Sequence, residues 1–122
     1  MDEKDITRLM GWLRVATGTA FTLAPAKTSR MWVGRDVDSV YTRMAARGLG
    51  ARDLALGIGL LTAMQRGASV RGWLEAGALS DGIDAFNSIV GMRRLSKFRM
   101  LLLATAGGYS AYLGRSLASD AD

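Results

Sequence analysis

Four apolar segments, at roughly 9–26, 44–64, 72–92 and 100–116, take up most of this chain, and ionised side chains interrupt three of them well inside their ends. Runs of this length, without strand-like alternation, read as helices. Fifteen glycines stand against a single proline, Pro25. In a water-exposed helix each glycine costs about 1 kcal/mol relative to alanine. In membrane helices small residues let backbones approach closely, and glycine is ordinary there. The segments and their glycines together predict an all-α fold, a four-helix up-and-down transmembrane bundle forming one domain over 1–122. The lipid bilayer is the expected partner and the cell membrane the expected place, as a multi-pass protein. None of the segments holds the roughly 18 consecutive uncharged residues that mark a confident span. The longest uncharged stretch is 100–114.

The chain contains no cysteine and no histidine. Disulfides, thiolate zinc sites, iron–sulfur clusters and a serine–histidine triad are therefore excluded. No metal and no cofactor is expected. The seven methionines read as adaptable packing residues rather than ligands. Gly48–Gly50 and Gly57–Gly59 lack the spacing of a phosphate-binding loop, and no strand precedes them.

The net charge of +5 comes from 16 basic and 11 acidic residues. Eight of the basic residues sit in two connections, 27–43 and 93–99. No aromatic–basic interleaving accompanies them, so no nucleic acid is expected. Cations flanking apolar segments report membrane orientation first, and here they put both termini outside and the two basic connections in the cytoplasm. Trp12, Trp73 and Tyr112 would then fall at one interface, and Trp32 and Tyr41 at the other. The connection 27–43 reads as an amphipathic interfacial turn with Trp32 near the headgroups. Pro25 ends or kinks the first helix. Ala24–Pro25–Ala26 is similar to a leader-cleavage site, but Asp2, Glu3 and Asp5 give the head the wrong charge for a leader.

The charges inside the second and third segments form the most informative pattern. In a helix each residue turns about 100°. Gly77, Asp81, Asp84, Ser88 and Gly91 then share one stripe, and Gly48, Arg52, Ala55 and Gly59 share another with similar offsets. Folding these two helices back to back around residue 68 places Arg52 at the depth of Asp84, with Asp81 one turn away. A guanidinium between two carboxylates is the expected cluster, because its planar fork serves carboxylates bidentately. Two mid-helix aspartates cost about 5–7 kcal/mol on insertion scales, whereas the six large apolar residues of the third segment return about 3 kcal/mol. That segment needs a partner, a proton or water. Asp53, about 100° round from Arg52, must face some other neighbour, and Asn87 and Ser88 could supply neutral hydrogen bonds to a ligand. The ladders Ala51–Ala55–Gly59–Ala63, Ala16–Ala20–Ala24 and Ala106–Ser110–Gly114 are expected to mark close helix contacts. Their alternative use is the face of a homo-oligomer.

The run Gly11-Trp12-Leu13-Arg14 continuing through Gly18 to Pro25, the core Gly50-x-Arg52-Asp53-Leu-Ala-Leu-Gly57, and the pair Asp81-x-x-Asp84 carry a resemblance. The chain resembles an actinobacterial family of small, functionally uncharacterised four-helix membrane proteins, and is more distantly similar to the DoxX-like group, some of which associate with oxidoreductases. The resemblance implies the helical membrane fold and no particular activity.

Two functions follow as expectations. In the first, the protein is an accessory or structural membrane component, and Arg52 with its acids locks helix register. In the second, it binds or transforms a lipophilic small molecule. Asp81 or Asp84 would then act as acid or base, Arg52 as an anion stabiliser, and Asp53, Asn87 and Ser88 would join them in ligand binding. Transport ranks below both, since the polar stripe is too short for a continuous path.

Overall fold

Five helices make up a computed structural model of the chain, which describes residues 1–33, 39–91 and 97–121, and no strand occurs among them. They are α1 (Glu3–Leu23), α2 (Pro25–Val33), α3 (Val40–Gln65), α4 (Arg71–Gly91) and α5 (Lys97–Asp120). The all-α expectation holds. The fifth helix is α2, which occupies part of the connection read from sequence as a turn. Gly34 and Arg35, and the pair Arg93–Arg94 of the second basic connection, lie outside the described residues.

Local chemistry sets the helix ends. Asp2 caps α1 by accepting a hydrogen bond from the Asp5 backbone N–H at 2.8 Å, and Glu3 and Asp5 sit in the first turn, where negative charge suits the helix dipole. The helix therefore begins six residues before the expected start at 9. It stops at Leu23 because Pro25 has no N–H to continue it, and Pro25 becomes the first residue of α2, a position whose fixed φ suits proline. The Thr28 hydroxyl binds back across this break, 2.8 Å from Ala24 O and 3.0 Å from Ala20 O. Ser39 caps α3 through the Thr42 N–H at 3.1 Å. At the other end of α3, Ala68 N–H bonds to Ala63 O and Gly67 N–H to Met64 O. Gly67 has φ +62°, so this is a Schellman stop built on a left-handed glycine.

The chain divides into two compact units, Met1–Ala68 and Ser69–Asp122. In the first, α1 and α3 pack antiparallel and α2 rests against both. The buried line on α3 runs through Ala46, Gly50, Asp53, Gly57, Leu60 and Ala63, in steps of three and four residues that keep to one helix face. In the second unit α4 and α5 pack antiparallel, with Leu74, Gly77, Gly114, Leu117 and Ala118 buried.

The small-residue ladders require a correction on α1 and α3. Ala16, Ala20, Ala51 and Ala55 are exposed and Ala63 alone of those two ladders is buried, so neither ladder makes the α1–α3 contact along its length. A neighbouring stripe of glycines does. On α5 Ser110 and Gly114 do line the contact, while Ala106 is exposed. Among the described residues no helix is long and apolar enough to cross a membrane.

Candidate functional site

The contact between α1 and α3 is organised around one ion pair. Arg14 Nη1 donates to Asp53 Oδ1 at 3.1 Å, with the two side chains only 11% and 10% exposed. Glycines flank both residues at the same spacing: Gly11-x-x-Arg14-x-x-x-Gly18 on α1 and Gly50-x-x-Asp53-x-x-x-Gly57 on α3. Because the helices run antiparallel, Gly18 meets Gly50 and Gly57 meets Gly11. A β-carbon at Gly18 would stand 2.6 Å from the Gly50 carbonyl oxygen, and one at Gly57 would stand 2.8 Å from the Gly11 carbonyl oxygen. Neither distance is tolerable for carbon against backbone, so the close crossing exists only because both positions lack a side chain. The notches bring the backbones near enough for Arg14 to lie across the interface onto Asp53.

Arg52 completes the group. Its Nη2 lies 3.5 Å from the same Asp53 Oδ1, and its side chain is 32% exposed. One carboxylate oxygen thus faces two guanidinium groups, and the three side chains carry a net +1. Asp53, for which the sequence names no neighbour, pairs with Arg14, a residue that the sequence does not single out as a candidate. A signal for it was present: the two helices repeat one seven-residue spacing with opposite charges at the fourth position.

The second unit has a similar arrangement with different chemistry. Ser110 Oγ donates to Asp81 Oδ2 at 2.6 Å. On α5 the flanking residues are Gly107 and Gly114, whose β-carbons would meet Ala85 and Ala78 at 3.2 and 3.4 Å. On α4 those same residues give Ala78-x-x-Asp81-x-x-x-Ala85. The spacing of small residue, polar residue and small residue is therefore shared by all four long helices. Alanine on α4 keeps this pair slightly farther apart than the all-glycine crossings of the first unit.

The remaining candidates sort by face. Asp84 and Ser88 are half-buried on the Asp81 side of α4. The Ser88 hydroxyl donates to the Asp84 backbone carbonyl at 2.8 Å, so its proton is spent inside the helix. Asn87 is exposed, off that stripe. The expected cluster of Arg52 with Asp81 and Asp84 takes its members from both units and stands as an expectation. Within its own unit Arg52 pairs with Asp53, and Asp81 with Ser110. Glu75 accepts from Arg71 Nε at 3.1 Å on the surface of α4. Among the described residues no group of three acids could hold a metal ion.

Chemically, Asp53 is an acceptor committed to cations. A carboxylate so held is suited to fixing helix register. Searches of protein-family models, of curated proteins and of solved structures found no match to this chain.

Proposed function

We propose that this chain is an integral component of the cell membrane, an accessory or structural protein that spans the bilayer as a four-helix bundle of α1, α3, α4 and α5. One observation carries the reading: within 9–23, 48–64, 76–90 and 101–114 every exposed residue is uncharged. The charges in these ranges, Arg14, Arg52, Asp53, Asp81 and Asp84, are all buried or half-buried. The outward positions hold Leu13 (56% exposed), Ile58 (54%), Leu79 (67%), Phe86 (64%) and Leu101 (66%), among others. Charge inside and large apolar groups outside is the reverse of a protein that ends at water, and extended apolar faces of this kind mark membrane or partner contact.

The lengths agree with this reading. The four helices have 21, 26, 21 and 24 residues, which at 1.5 Å per residue is about 31–39 Å, enough for a hydrocarbon core of about 30 Å. Each falls short in apolarity rather than in length. Facing residues contribute to the shortfall: Gly11, Gly18, Gly50, Gly57, Arg14, Asp53, Asp81 and Ser110. Hydrocarbon meets only the outer faces, and the polar groups meet one another. An uncharged belt of about 21–26 Å is somewhat thinner than the hydrocarbon core. Arg8, Arg47, Arg66, Arg71 and Arg115 lie just beyond it, where long cationic side chains reach the interface. Insertion then proceeds by hairpins, since Arg14 and Asp53 cost least when they enter together. The resemblance to the actinobacterial four-helix family belongs to this same proposal.

Subcellular fractionation of the untagged chain tests it. The protein should sediment with membranes, stay there through alkaline carbonate washing, and be released only by detergent. Recovery in the high-speed supernatant without detergent would remove the membrane reading.

A further inference from the structure

We infer that the end of the first unit formed by α2 and the start of α3 is a docking surface for an anionic lipid headgroup layer. The inference rests on the membrane reading above and adds the class of lipid. Residues 25–47 hold five basic side chains and two acidic ones, a net +3. Of these Lys27, Arg30, Arg43 and Arg47 are exposed. The opposite end of the same unit, made of residues 1–8 and the end of α3, has three acids against three bases, Arg66 among them. The excess of cations is thus confined to one end.

The way α2 is seated makes that end specific for an interface rather than for water. It turns its hydroxyl residues inward: Thr28 and Ser29 are 8% and 6% exposed. It turns Met31 (80%) and Trp32 (41%) outward beside Lys27 and Arg30. Trp32 meets the unit through Phe21, their ring centroids 6.4 Å apart and the planes inclined at 34°. Tyr41 (84%) and Met44 (64%) continue the exposed surface on α3. A cationic surface that also exposes one tryptophan, one tyrosine and two methionines fits the boundary between headgroup phosphates and acyl chains, where amphipathic aromatic rings settle. Each cation near an anionic leaflet strengthens attachment about five-fold, the equivalent of about 1 kcal/mol.

The test uses the full chain purified in a neutral detergent, melted in mixed micelles containing phosphatidylglycerol or phosphatidylcholine. Phosphatidylglycerol should raise the melting temperature at a mole fraction well below that needed for phosphatidylcholine. The difference should disappear in 1 M salt, where the screening length is about 3 Å. The double variant Lys27→Ala/Arg47→Ala should need roughly 25-fold more phosphatidylglycerol, at about five-fold per cation, and Lys4→Ala at the other end should behave as the parent. Equal responses to the two lipids would overturn the inference, as would an undiminished preference in the double variant. So would inorganic phosphate acting as well as the lipid, which would make the site one for free anions. Protein found in the supernatant that still prefers phosphatidylglycerol would overturn spanning alone. Protein held in membranes that responds equally to both lipids would overturn the lipid assignment alone.

Discussion

A single carboxylate oxygen decides how α1 meets α3. Asp53 Oδ1 has Arg14 at 3.1 Å and Arg52 at 3.5 Å, in an interface where the Arg14 and Asp53 side chains are about nine-tenths buried. Removing one partner of a buried pair leaves a stranded charge and costs about 3–5 kcal/mol, whereas replacing both by apolar groups of similar size is close to neutral. Asp53→Asn should therefore lower thermal stability sharply in detergent, and Arg14→Leu/Asp53→Leu should recover most of the loss. If Asp53→Asn melted with the parent, the pair would carry no structural weight. The glycines make a parallel prediction. Gly18→Ala drives a methyl group against the Gly50 carbonyl and should cost about 1–3 kcal/mol through forced separation of the backbones. Gly48→Ala, with nothing within 4 Å of its β-carbon, should gain about 0.5–1 kcal/mol from helix propensity. Melting curves of the two variants measured side by side distinguish crowding from propensity.

At the scale of elements, Pro25 was legible as the end of the first helix, whereas the caps at Asp2 and Ser39 and the stop at Gly67 came from the structure. Pro25 marks the boundary of α1, and Gly67 in the short connection marks the end of α3. With φ at +62°, Gly67→Ala should cost about 1–2 kcal/mol, the penalty for a β-carbon in the left-handed region, seen as a lower melting temperature with helix content unchanged. The helix count was less legible. The stretch of α2 is cationic and hydroxyl-rich, and such a composition reads as a connection. It is helical because Thr28 and Ser29 bury against α1 and α3, a tertiary effect that local composition does not carry. The choice of packing face on α3 was missed by one residue. Ala51, Ala55 and Gly59 make a plausible ladder, and Gly50 and Gly57 make another about 100° away. Only the matching spacing around Arg14 on α1 decides between them, and that requires comparing two distant segments. Asp81 was recognised as a charge in need of a partner. Ser110 was placed only in a small-residue ladder, because a serine within an apolar run gives no sign that it will donate to an acid 29 positions earlier.

The whole molecule is defined by where its apolar groups point. Two units use one device, an antiparallel helix pair whose small residues flank a polar contact, and both leave leucine, isoleucine and aromatic side chains on the outside. In water this arrangement would expose what usually drives folding, and in hydrocarbon it satisfies the few polar groups at each helix contact. Because the chain contains no cysteine, a single introduced thiol can carry a spin label at any chosen position. The most direct measurement is the label's accessibility to oxygen, which partitions into hydrocarbon, against a water-soluble nickel chelate, in protein reconstituted into vesicles. Labels on Leu13→Cys, Ile58→Cys, Ile83→Cys and Phe86→Cys should relax with oxygen and ignore the chelate, while a label on Arg66→Cys responds to the chelate. Chelate-dominated relaxation at the four apolar positions would show water on those faces and contradict the account.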